Sequence, residues 1–219
     1  VEIKEETKEE ITAQMESIML QEKVENLKKN STASVLNYPM IYLNNKLLDI
    51  AYRINDDFMT SLKSDGKITR DNLDEVLPEF IMRYDEIRGL NKEAIDDIKQ
   101  MIINNVIGYG PISTIFDIAE DGLNDVIVNT KDYIDIIYNG KTECTPLVFR
   151  SEEELRKIID KMLGENNRKI DEAHPIISSK LNDGSRIEVQ IPPIAANDGS
   201  CVTIRKFKDV PLLLENLID

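Results

Sequence analysis

Tyr133-Ile134-Asp135-Ile136-Ile137-Tyr138-Asn139-Gly140 is the stretch on which the fold turns. Six residues rich in β-branched and aromatic side chains run into Asn-Gly, the pair that most readily takes the left-handed angles of a tight hairpin turn. The pattern predicts a strand over 133–138 that reverses at Asn139-Gly140. Upstream, Val126-Ile127-Val128 is a second short β-branched run. Downstream, Ile176 to Leu181, Arg186 to Ile191 and Cys201 to Phe207 read as three more strands. Asp183-Gly184 joins the first two of these as a hairpin, and Pro192-Pro193 stops the second. Between the two groups of strands, Ser151-Glu152-Glu153-Glu154 has capping-box spacing, with Ser151 at the N-cap and Glu154 at N3. The helix it opens carries Leu155, Ile158, Ile159, Met162 and Leu163, and Gly164 sits where a C′ glycine belongs. Residues 108–208 therefore read as an α+β domain with a mostly antiparallel sheet.

Before residue 108 the apolar spacing changes from two to three and four. Ile41, Leu43, Leu47, Leu48, Ala51 and Ile54 form one helical stripe. Leu73, Val76, Leu77, Phe80, Ile81 and Tyr84 form another, opening near Asp71 and disturbed at Pro78. Asn91 is the expected N-cap of a third helix carrying Ala94, Ile95, Ile98, Met101, Ile102 and Val106. Gly108-Tyr109-Gly110-Pro111 ends it, because glycine tolerates left-handed angles and proline cannot continue the ladder. Residues 31–107 are thus expected to be an all-α subdomain, with Ser64-Asp65-Gly66-Lys67 as an internal break. Residues 1–30 read as a charged amphipathic helix with Ile11, Met15, Ile18, Met19, Val24 and Leu27 on one stripe. Such an arm can pack on its own domain, pair with another chain or dock a partner.

The net charge of −14 sets limits on partners. A surface this acidic repels phosphate backbones, so nucleic acid is not the expected partner. The charge is uneven: residues 1–10 and 71–97 are acid-rich, whereas Arg168 to Lys208 is nearly balanced. An anionic ligand is therefore best sought in the C-terminal third. No apolar run approaches the roughly 20 residues a membrane-spanning helix needs, and no signal-peptide pattern is visible. The first residue, Val1, is what a trimmed chain or a piece of a longer protein would show. Cys144 and Cys201 read as reduced thiols, and one histidine without a Cys/His cluster argues against structural zinc.

Several motifs fail on inspection. Gly140-Lys141-Thr142 looks like the end of a phosphate-binding loop, but the glycine required five positions earlier is Asp135, inside a strand. Asp65-Gly66 hints at a calcium loop, yet that register puts Lys63 at a ligand position and Asn72 in place of the closing glutamate. His174, beside Pro175 and near Asp171 and Glu172, has no nucleophile signature with it. The acidic run Asp71 to Glu79 reads as a solvated helix face.

An ordered set of short motifs is more specific. Gly108-Tyr109-Gly110-Pro111-Ile112 is followed by Asn124-Asp125-Val126-Ile127-Val128-Asn129, the hairpin Ile134 to Lys141, and Phe149-Arg150-Ser151. Then come Arg168-Lys169-Ile170-Asp171-Glu172, Leu181-Asn182-Asp183-Gly184-Ser185-Arg186, Ile191-Pro192-Pro193 and Val202-Thr203-Ile204-Arg205-Lys206-Phe207. In this order, over roughly residues 95–219, they resemble the N-terminal domain of the CpaF-like branch of type II and type IV secretion and pilus-assembly ATPases, in the GspE-like superfamily. Thr130 departs from the family's glycine after Asn129, and Asn182 from its proline. Residues before 95 resemble it only as a variable helical region.

The resemblance implies a PAS-like fold for residues 108–208 and, over 209–219, the start of a linker to a RecA-like ATPase domain absent from this sequence. It implies a hexameric, cytoplasmic ATPase at the inner face of the cell membrane. Its partners would be its own C-terminal domain, neighbouring subunits of the homo-hexamer and an inner-membrane platform protein. ATP would be shared with the C-terminal domain, which would also hold magnesium, the phosphate loop and the general base. This chain would supply no catalytic residue of its own. Arg186 and Arg205, with Arg168 third, occupy the positions from which the family's N-terminal arginines reach the nucleotide phosphates. The competing reading is that Arg186 and Arg205 pair with local acids such as Asp183 and Glu188. Two other functions stay open, a stand-alone interaction module and a small-ligand sensor.

Overall fold

The computed structural model describes residues 36–62, 68–195 and 199–207. The expected helix over 1–30, the break at Ser64 to Lys67 with its Asp65-Gly66 pair, and the linker over 209–219 lie outside the described residues. Among the described residues four α-helices come first: α1 (Asn45–Ser61), α2 (Arg70–Ile81), α3 (Lys92–Val106) and α4 (Pro111–Ile118). Then follow β1 (Leu123–Thr130), β2 (Tyr133–Tyr138), β3 (Lys141–Cys144), α5 (Glu152–Gly164), β4 (Ile176–Lys180), β5 (Arg186–Gln190) and β6 (Cys201–Arg205). The chain is α+β, with helices N-terminal to an antiparallel sheet of six strands in the order β3-β2-β1-β6-β5-β4. Among the described residues no helix is long and apolar enough to cross a membrane.

Local chemistry sets the helix starts. The Asn91 side chain accepts from Ala94 N–H at 2.9 Å, as its position predicts, and Ser151 accepts from Glu154 N–H at 3.2 Å. Glu154, however, reaches past the cap to the N–H of Arg150 at 2.6 Å. The stripe from Ile41 to Ile54 is divided. Met40–Leu43 is a 3-10 turn, and Asn44 starts α1 by accepting from Leu47 N–H at 3.2 Å. At the end of α5, Gly164 stays helical, and Asn167 at φ 54° makes the left-handed turn instead. Asparagine tolerates those angles better than most side chains.

Helix α4 is the element that apolar spacing misses. Pro111 stands at its first position, where a missing N–H costs nothing. Gly110 precedes it at φ 57°, ψ −131°, a conformation open essentially to glycine. Gly110→Ala is therefore expected to destabilise the fold by about 1–3 kcal/mol, read as a lower urea midpoint. An unchanged midpoint would show that this bend carries no conformational demand.

One face of the sheet builds the core. Ile136, Val126, Ile204 and Ile187 lie in register across β2, β1, β6 and β5, and Ile134, Val128, Val202 and Val189 form the next row. All eight are buried. They share one apolar cluster with Leu155, Ile159 and Met162 of α5, Ile112 and Ile115 of α4, Ile98 and Ile102 of α3, and Leu77 and Ile81 of α2. Asn104 ties α3 to α4 through Thr114 Oγ1 (3.1 Å) and Asp117 Oδ2 (3.3 Å). With the helices on the inner face, the alternate residues of each strand point outward.

Candidate functional site

The outward face carries the arginines that the sequence singles out. Arg205 on β6 is the register partner of Arg186 on β5, and both side chains are exposed. The row continues on both flanks: Arg186 lies opposite Lys180 on β4, and Arg205 opposite Asp125 on β1. Neighbouring strands stand about 4.8 Å apart, so three cations are held side by side within roughly 10 Å. Like charges placed directly opposite each other weaken a sheet. This row occurs in a chain whose net charge is −14.

Arg168 is also exposed and lies beyond the end of α5. Its N–H returns to Leu163 O at 2.9 Å, closing the helix. Two residues earlier, Asn166 donates to the carbonyl of Lys180 at 2.5 Å, which brings this turn to the cationic end of β4. The structure thus brings Arg186 and Arg205 together in one row, while Arg168 stays outside it, two residues from the Asn166 that meets the Lys180 carbonyl.

The local pairing expected for these arginines is met in part, by a different acid. Arg205 Nε donates to Asp125 Oδ1 at 2.9 Å, with the Asp125 side chain 11% exposed and that of Arg205 74%. That hydrogen bond and the charge of Asp125 push the guanidinium pKa further up. Because the contact uses Nε, the two terminal nitrogens are left for a planar, two-pronged contact with an anion. Arg186, Lys180 and Arg168 form no ion pair with another described residue. Glu188 shares the outer face one register row away, opposite Ser178 and Thr203. Asp183 is occupied elsewhere, by Lys206 Nζ at 2.6 Å and by the N–H and hydroxyl of Ser185, both at 2.9 Å. Burial pushes the Asp183 carboxyl up, but those donors together hold it below its ordinary value.

The turn between β4 and β5, which sets Lys180 and Arg186, is braced from outside the sheet. Gly184 takes φ 83°, and Leu181 N–H closes on Ser185 O at 2.8 Å. Asn182 N–H donates to Glu165 Oε2 at 3.3 Å, and Glu165 also accepts from the Tyr109 hydroxyl. A proline at position 182 would have no N–H to give to Glu165. Lys206, next to Arg205, lies 4.3 Å from the Phe116 ring centroid, and that ring meets Tyr109 edge-on at 6.5 Å. Phe207 N–H donates to Ser185 Oγ at 3.3 Å. Lys161 caps the end of α3 by donating to the carbonyls of Val106 (3.2 Å) and Gly108 (2.6 Å). Burial lowers its pKa despite the nearby Glu165.

Asp125 and Lys180 are the members of the row that sequence reasoning missed. Asp125 sits beside the strand core 126–128, and only the β1–β6 register reveals its partner. Lys180 ends a strand that was read correctly, and counting back from the Asp183-Gly184 turn would have set it opposite Arg186. The other motifs resolve simply. Asn139 (φ 48°) and Gly140 (φ 75°) form the hairpin turn before β3. His174 is 85% exposed with Nδ1 3.4 Å from Asp171 Oδ1. Within the acidic run, Asp74 is paired with Lys99 at 2.7 Å.

No family model matches the chain. Two uncharacterized proteins of Methanocaldococcus jannaschii are similar to it. One is 28% identical over 172 residues, covering 76% of this chain and 23% of its own length. The other is 39% identical over 75 residues, covering 34% of this chain and 13% of its own length. The chain thus spans less than a quarter of either relative. Among solved structures, the VirB11 ATPase from the Brucella suis type IV secretion system, in complex with sulphate, is similar at 23% identity and TM-score 0.42 over 48% of this chain and 32% of its own. At that level the likeness carries no argument about function.

Proposed function

We propose that this chain is the N-terminal regulatory and assembly domain of a hexameric ATPase that powers protein secretion or pilus assembly. In this reading its outer sheet face caps a nucleotide held by a separate RecA-like domain. The observation that carries the reading is the exposed, in-register pair Arg186 and Arg205 in a strongly acidic chain. The ordered motifs from Gly108 to Phe207 support it. Exposed arginines suit the phosphates of ATP: they stay charged, and their fork matches phosphate oxygens. An arginine need not share a domain with the phosphate loop to stabilise charge on a transferring phosphoryl group. ATP draws Arg186 and Arg205, with Arg168 third, toward the cleft between the two domains. Release of the hydrolysed phosphate lets the cleft reopen, a rigid-body closure of a known kind. Magnesium and the catalytic groups belong to the other domain. Neighbouring subunits of the homo-hexamer and a membrane platform protein are the partners, and the cytoplasmic face of the membrane is the site of action.

The test is ATP turnover by this chain alone and after mixing with the separately expressed catalytic domain. The chain alone is expected to be inert and to raise the turnover of that domain. Hydrolysis by the chain alone, or no effect on mixing, would defeat the proposal.

A further inference from the structure

We infer that Lys180 is a third anion-binding residue beside Arg186 and Arg205, and that the row takes a linear run of phosphoryl groups rather than a single one. This rests on the reading of the two arginines just given and extends it to the ligand's shape. Lys180 closes β4 directly opposite Arg186, exposed on the same face, and the Cα register runs unbroken from Lys180 through Arg186 to Arg205. An edge-strand lysine often serves only to discourage pairing with another chain. Two features separate Lys180 from that role. It sits opposite a second cation, where an edge charge is least favourable, and neither it nor Arg186 has a counter-ion among the described residues.

The direction of Arg205 decides the ligand's length. Asp125, on the strand beyond β6, holds Arg205 through Nε and draws its fork away from Lys180. The three cations therefore do not converge on one phosphoryl group. They stay spread along a row of roughly 10 Å, longer than a single phosphoryl group and long enough to meet several groups of a polyphosphate at once. Arg186 and Arg205 offer flat, two-pronged contacts, and Lys180 offers a point charge at the end.

The experiment is calorimetric titration of the 219-residue chain with inorganic tripolyphosphate and with orthophosphate at low salt, where surface charge is least screened. Tripolyphosphate is expected to bind about tenfold or more tightly than orthophosphate. Lys180→Gln, which keeps a polar edge, is expected to weaken tripolyphosphate about five- to tenfold with little change for orthophosphate, and Lys180→Arg to restore it. If Lys180→Gln leaves tripolyphosphate affinity unchanged while Arg186→Ala weakens it, Lys180 is an edge residue and the inference fails, with the arginine reading intact. Equal affinity for the two probes defeats the linear-ligand claim. If neither probe binds, or neither substitution changes binding, the inference and the arginine reading fail together. If the row binds tripolyphosphate as described but mixing leaves turnover of the catalytic domain unchanged, the site stands and its assignment to that ATPase does not.

Discussion

Phe149→Ala is expected to lower the unfolding free energy by about 3–5 kcal/mol, the usual cost of removing a fully buried aromatic side chain. Phe149 is 1% exposed and precedes the cap of α5, with its N–H donating to Lys131 O at 2.7 Å. A Cβ built on Gly110 would lie 3.9 Å from the Phe149 ring and 4.0 Å from Ile158. The ring therefore fills the space where the bend before α4, helix α5 and the sheet meet. Domains of this size are stable by about 5–15 kcal/mol, so the loss is a large fraction of the whole. Its distribution is as informative as its size. The apolar cluster runs without interruption from Leu36 to Ile204, through helices and sheet alike. The amides of Ile102 in α3 and Val202 in β6 are thus expected to lose protection from hydrogen exchange together. If Val202 were weakened while Ile102 kept its protection, the helical part would be an independently stable unit and the shared core would not bind the two cooperatively.

Most of the fold was legible because its signals are local. Asn139-Gly140 and Asp183-Gly184 mark turns by their tolerance of left-handed angles, and β2, β4 and β5 end within one residue of the expected bounds, whereas β1 runs well beyond Val126–Val128 and β3 has no expected range. Asn91 and Ser151 cap helices by hydrogen bonds inside four residues. The misses were also local, but they involved competing chemistry. Asn44 split an apolar stripe that spacing alone reads as one helix, and Asn167 took the left-handed role expected of Gly164. Helix α4 hid because Gly108-Tyr109-Gly110-Pro111 was read only as an ending, although Pro111 can equally begin a helix. The candidate site was half legible. Arg186 and Arg205 stood out by their place in an ordered motif set. Their partners Lys180 and Asp125 depend on strand register, which joins residues 80 positions apart in the case of Asp125 and Arg205.

The double variant Arg186→Ala, Arg205→Ala is expected to reduce the turnover of the reconstituted ATPase by about 10²–10³-fold, toward the rate of the catalytic domain alone. That is the range seen when a charge-stabilising donor is removed from a reacting centre. Arg186 is exposed and makes no ion pair with a described residue, so Arg186→Ala should leave thermal stability nearly unchanged and separates a loss of function from a loss of fold, whereas Arg205→Ala strips the nearly buried Asp125 of its partner and should lower stability. Arg205→Lys makes the sharper comparison. It keeps the charge but replaces the fork by a single ammonium, which cannot hold Asp125 through one nitrogen and offer two others to an anion. Its turnover should therefore fall nearly as far as that of Arg205→Ala. Asp125→Asn should act through Arg205, lowering turnover less than Arg205→Ala and adding nothing when Arg205 is already alanine. Full activity in Arg205→Lys would reduce Arg205 to a diffuse positive charge and leave Asp125 without a role in aiming it. Full activity in the double variant would remove both arginines from the reaction, and the row on β4, β5 and β6 would then have to be explained by a ligand other than the nucleotide.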